Sequence, residues 1–67
     1  MDPKLSPEER AQQSAEAKEA GNRCFVQGDY NQAKVLYTQA IALNPNVPAI
    51  WSNRAACELK LEQHGLA

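Results

Sequence analysis

The chain is 67 residues long, which limits it to one small domain that buries about 60% of the surface its unfolded chain exposes. Seven Lys and Arg against eight Asp and Glu leave a formal net charge of −1, so the general basic excess that marks nucleic-acid binding is absent. So short a chain has little room to fix catalytic groups around a pocket, and its apolar runs fall far short of the roughly 20 residues that cross a bilayer; the expected class is partner binding by a soluble, cytoplasmic protein with no membrane role.

The first helix signal is Ser6-Pro7-Glu8-Glu9. Serine can cap free amides, proline suits the first helical position, and Glu9 sits where its side chain can reach back in a capping box. Residues 1–13 read as a polar tail, partly disordered, running into this helix. From Ala11 to Gln27 good helix formers predominate, and Ala17, Ala20, Cys24 and Phe25 share one face of small or apolar side chains. Gly21 inside that pattern costs about 1 kcal/mol against alanine unless a neighbour needs the space, so it marks a helix crossing.

Gly28-Asp29 then breaks the helix: glycine offers a left-handed C-terminal cap and aspartate an N-cap for the next helix. Tyr30, Ala33, Leu36, Tyr37, Ala40, Ile41 and Leu43 repeat the helical spacing until Asn44-Pro45-Asn46 stops it, which predicts an αα-hairpin. A third helix restarts near Pro48 and runs through Trp51, Ala55 and Leu59 to about Glu62. No β-branched alternation appears, so the predicted class is all-α.

Residues that could carry chemistry are few. Cys24 and Cys57 stand 33 residues apart with no CxxC pair, so each reads as a small buried hydrophobe, with a disulfide as the minority reading. His64 has no second ligand or nucleophile near it and reads as a packing residue. There is no phosphate-binding glycine loop, metal-ligand cluster or nucleophile motif, so no cofactor, metal or catalytic residue is expected.

Shifting the sequence by 34 residues pairs Ala17 with Trp51, Gly21 with Ala55, Phe25 with Leu59 and Ala33 with Ala67. Gly21, Asn22, Phe25, Gly28, Asp29, Tyr30, Ala33, Tyr37, Ala40 and Pro45 resemble the consensus of the tetratricopeptide repeat in register. The resemblance covers residues 14–67 and implies a complete repeat over 14–47 and an incomplete second over 48–67, three helices forming the start of a right-handed α-solenoid. Ala17 and Cys24 replace aromatics common in the family, which implies a less filled contact between the paired helices. Repeats of this kind need about three neighbours for stability. Helix three should therefore leave an apolar face uncovered, and the chain is expected to be marginally stable or to self-associate through it.

In such a solenoid the first helix of each pair lines the inner face, so polar residues there become binding candidates. Lys18 and Asn22 lie one turn apart on one face, and Asn53 and Lys60 share a face of the next inner helix. An ammonium and carboxamides suit an acidic extended peptide. The stretches Lys18-Glu19-Ala20-Gly21-Asn22 and Ser52-Asn53-Arg54-Ala55-Ala56 resemble the dicarboxylate clamp of chaperone-binding tetratricopeptide domains. That resemblance implies Lys18, Asn22 and Asn53 as clamp residues, with Phe25, Ala56 and Lys60 lining the groove around a valine or methionine of the ligand. The implied partner is the acidic Glu-Glu-Val-Asp tail of a cytosolic heat-shock chaperone, and the implied role that of a co-chaperone adaptor. The family's remaining clamp lysine and arginine have no counterpart here, so the clamp is partial.

Each candidate has a plainer reading. Lys18 can be a solvated helix lysine paired with nearby Glu residues, worth a few tenths of a kcal/mol. Asn22 is harder to account for structurally, because asparagine is a mediocre helix former placed directly after the packing glycine. Arg54 reads as a structural bridge between helices through carboxylates or carbonyls, and Trp51 as filling the seam between repeats. Two other functions stay open: a structural scaffold repeat with an unrelated protein partner, and the targeting end of a larger phosphatase or ubiquitin ligase.

Overall fold

The computed structural model describes residues 6–63, and within them the chain forms α1 (Pro7–Val26), α2 (Tyr30–Leu43) and α3 (Pro48–Gln63) with no strand. His64 and Ala67 lie outside the described residues.

The helix ends reflect local chemistry. Ser6 Oγ accepts from the Glu9 amide at 3.2 Å while the Ser6 amide donates to Glu9 Oε1 at 3.1 Å, a reciprocal capping box with Pro7 at the first helical position. This box starts α1 at Pro7, so residues 7–13 form its opening turns rather than a partly disordered tail. At the other end Gly28 takes φ +84°, a left-handed conformation that an L side chain would make costly. The turn is closed by the Asp29 amide on the Cys24 carbonyl at 2.9 Å and the Gly28 amide on the Phe25 carbonyl at 3.0 Å, the Schellman pattern. Asp29 then caps α2, its Oδ1 accepting from the Gln32 amide at 3.3 Å. Two residues' worth of turn chemistry thus reverses the chain.

The hairpin is antiparallel: Ser14 near the start of α1 meets Ala40 near the end of α2, and Asn22 meets Tyr37. Helix α2 is central, packed against both α1 and α3. The core consists of Ala33, Tyr37, Ala40, Ile41, Ile50 and Cys57, with Ala17, Cys24, Phe25 and Val47 packed against it. Small residues and one tyrosine dominate, and burying Tyr37 contributes on the order of 1.5–3 kcal/mol. Gly21 is the crossing point, since a Cβ there would lie 2.7 Å from Tyr37 Cε1 and 2.9 Å from Cδ1. The Ser14 hydroxyl, fully buried, donates to the Ala40 carbonyl at 2.8 Å and is thereby satisfied.

Helix α3 departs from the expected face. Its inward residues are Ile50 and Cys57, whereas Trp51 and Leu59 are 48% and 54% exposed and Ala55 is also exposed. Trp51 therefore does not fill the seam; its indole N–H donates to the Pro45 carbonyl at 3.0 Å, and Trp51, Ala55 and Leu59 form an exposed stripe. Arg54 does not bridge helices either. Its guanidinium stacks over the Trp51 ring at 5.6 Å, a cation–π contact within one helix, and it forms no ion pair among the described residues. Between α2 and α3 the Lys34–Glu58 pair, at 3.8 Å and about half exposed, adds little against solvent screening. Both cysteines are free, Cys57 buried and Cys24 half-buried.

Candidate functional site

Asn22 leaves α1 one turn after Lys18, and Asn53 leaves α3 one turn before Cys57, whose burial fixes that helix's rotation. The two carboxamides meet between the helices, with Asn53 Nδ2 donating to Asn22 Oδ1 at 3.4 Å. The Tyr37 hydroxyl donates to the same oxygen from below. Around this junction lies a shallow concavity of about 280 Å³ lined by Asn22, Phe25, Val26, Tyr37, Asn53 and Ala56. Phe25 is held edge-on against Tyr30, ring centres 5.1 Å apart at 70°.

Four of the expected peptide-binding residues, Asn22, Phe25, Asn53 and Ala56, thus line one groove. Lys18 and Lys60, both half-buried, do not belong to that lining; they flank it one turn before Asn22 and one turn after Ala56. Lys18 makes no ion pair among the described residues, so the pairing with neighbouring Glu is not formed. Two lining residues lie beyond the sequence expectation. Tyr37 reads in sequence as a core aromatic and is one, at 2% exposure, yet its phenol reaches the groove floor. Val26 is 85% exposed at the end of α1, where the groove continues onto Arg23 and Gln27; only its position one turn after Asn22 signals it in the sequence.

The chemistry of the lining is set by its donors. Asn22 Oδ1 is occupied by two internal donors, so its free valences are N–H groups, and one N–H of Asn53 also remains. Burial, then the nearby Cys57 and Cys24, push the Tyr37 phenol above its ordinary pKa, so it stays a proton donor. No carboxylate lines the groove. Outward amide donors over Phe25 and Ala56, flanked by lysines, can hold a carboxylate beside an apolar side chain. Among the described residues no His, Cys, Asp or Glu cluster could hold a metal ion, and no helix is long and apolar enough to cross a membrane.

Comparison with known proteins places this arrangement. A TPR repeat family model matches residues 21–60. The chain is 56% identical over 43 residues to the E3 ubiquitin-protein ligase CHIP of Arabidopsis thaliana, covering 64% of this chain and 16% of that protein. It is 45% identical over 61 residues to Hsp70-Hsp90 organizing protein 1 of Glycine max, covering 91% of this chain and 9% of the relative. A third relative, DnaJ homolog subfamily C member 7 of Mus musculus, is 41% identical over 61 residues, 90% of this chain and 12% of its own. The chain therefore spans less than a fifth of the length of these relatives. No solved structure gives a significant match. The matched segment takes in the Gly21 crossing, the Gly28-Asp29 turn, all of α2 and most of α3: the chain belongs to the tetratricopeptide repeat family of protein-interaction modules.

Proposed function

We propose that the groove between α1 and α3 binds the acidic C-terminal tail of a cytosolic heat-shock chaperone, so that the chain acts as a co-chaperone adaptor in the cytoplasm. The observation that carries the reading is the Asn22–Asn53 junction: two carboxamides far apart in sequence meet with N–H groups turned outward over Phe25 and Ala56. The names of relatives, an Hsp70-Hsp90 organizing protein and a DnaJ homolog among them, support the chaperone class of partner. Under this reading Lys18 reaches in to neutralise a carboxylate, Asn22 and Asn53 hydrogen-bond it, and Lys60 flanks an apolar ligand side chain. Residues 14–47 are then one repeat and 48–67 the start of a second.

The test is titration of a peptide ending in Glu-Glu-Val-Asp into the wild-type chain and into Lys18→Ala and Asn22→Ala. Loss of one charge-assisted bond, about 1.5–3 kcal/mol, lowers affinity roughly ten- to a hundredfold. Unchanged binding in both variants removes the clamp.

A second reading rests on the exposed stripe of Trp51, Ala55 and Leu59, which offers a stacking face to a further helical element or a protein partner, as in a scaffold repeat. A ubiquitin ligase among the relatives, of which the chain covers 16%, fits a targeting segment of a longer protein equally well.

A further inference from the structure

We infer that Tyr37 is a positioning residue for ligand recognition: its hydroxyl, with Asn53, holds the Asn22 carbonyl oxygen, so that Asn22 offers the groove its N–H groups and favours carboxylate over neutral amide ends. The inference rests on the carboxylate-binding reading above. Asn53 Nδ2 donates to the Asn22 oxygen at 3.4 Å. The Tyr37 hydroxyl donates to that same oxygen, and a carbonyl has two lone pairs, so none is left to face a ligand. The orientation of the Asn22 carboxamide is thus set from beneath.

Tyr37 is suited to this task because close packing holds its ring. Its ring is 2% exposed and lies directly under Gly21, and the donor stays protonated because burial disfavours the phenolate. The donor is in place before a ligand arrives, so binding does not have to order it. Without the hydroxyl the Asn22 carboxamide keeps only the Asn53 contact and can turn its oxygen outward. An outward oxygen repels a carboxylate and accepts from a carboxamide. The hydroxyl thus ties the residue that packs the helix crossing to the residue that meets the ligand.

The test compares wild type and Tyr37→Phe, with helical content checked by circular dichroism. Each is titrated with the same Glu-Glu-Val-Asp peptide as free acid and as C-terminal amide. Tyr37→Phe is expected to weaken the free acid roughly three- to tenfold, the range of a neutral hydrogen bond, and to leave the amide form nearly unchanged, so the acid-to-amide ratio falls. A folded Tyr37→Phe with the wild-type ratio confines Tyr37 to packing and overturns the inference while leaving the groove reading intact. A wild type that binds both peptides alike removes the groove reading and the inference with it. A measurement on ligand-free wild type needs no variant: the heteronuclear NOE of the Asn22 side-chain amide should match that of rigid backbone, and a value typical of a freely turning side chain contradicts the proposal.

Discussion

Gly21→Ala separates tertiary packing from local propensity. In an isolated helix the substitution stabilises by about 0.8–1.0 kcal/mol. Here the added methyl would sit 2.7 Å from Tyr37 Cε1, 2.9 Å from Cδ1 and 3.2 Å from Cζ. Carbon atoms pack best at about 3.5–4.0 Å, so the ring must retreat by roughly 0.5–1 Å. Tyr37 is walled in by the core of Ala33, Ala40 and Ile41, and overpacking of this kind costs about 1–3 kcal/mol. The net expectation is a destabilisation of about 1 kcal/mol, a fall in Tm of roughly 4–8 °C for a domain of this size. Thermal unfolding followed by circular dichroism at 222 nm reads it. The retreat also draws the phenol from Asn22, so affinity for the acidic peptide should fall with stability. A rise in Tm of the size that propensity alone would give refutes the crossing as described.

Single contacts give further tests. Ser14→Ala removes the buried hydroxyl's bond to the Ala40 carbonyl, but that carbonyl keeps the Asn44 amide at 2.9 Å; the urea midpoint should fall by the equivalent of about 0.5–1.5 kcal/mol with m unchanged, and an unaltered midpoint would show the bond to be incidental. Gly28→Ala meets open space but keeps φ +84°, so it should cost about 1–2 kcal/mol through the backbone alone, and a neutral result in the same urea assay would count against the left-handed cap. Because the folded pKa of Tyr37 is raised, its contribution is fully present below the unfolded value near 10 and is lost as pH rises through the folded value; wild type should lose more stability than Tyr37→Phe as pH rises above about 10, and parallel curves would contradict this. Cys57 is buried, and burial, with Glu58 beside it, pushes its thiol above the ordinary range, so iodoacetamide should modify half-buried Cys24 first, as peptide mapping by mass spectrometry would show. Equal rates would mean that α3 opens freely from α2.

Features fixed locally are legible in the sequence. The capping box at Ser6 and Glu9, the Gly28-Asp29 reversal and the proline at the head of α3 are decided by groups within a few residues, and they set the helix ends. Gly21 announces a crossing without naming what crosses; Tyr37 becomes its neighbour only once the hairpin closes. Helix α3 carries two apolar stripes, Ile50 with Cys57 and Trp51 with Ala55 and Leu59, and periodicity cannot choose between them. Contact with α2 chooses the first.

The site divides in the same way. Asn22 and Asn53 stand out as mediocre helix formers on α1 and α3, and the fold joins them. Tyr37 is hidden because one residue both packs and donates, and a core position gives no sign of what its hydroxyl reaches. Lys18 and Lys60 stand beside the groove rather than in its lining, as long side chains do when no internal partner holds them.

Whether the groove recognises a carboxylate is decided by isothermal calorimetry of the wild-type chain with a Glu-Glu-Val-Asp peptide, as free acid and as amide, over rising salt. The free acid should bind more tightly, and its affinity should fall as salt screens the lysines. Equal affinity for the two peptides, with no response to salt, would contradict carboxylate recognition.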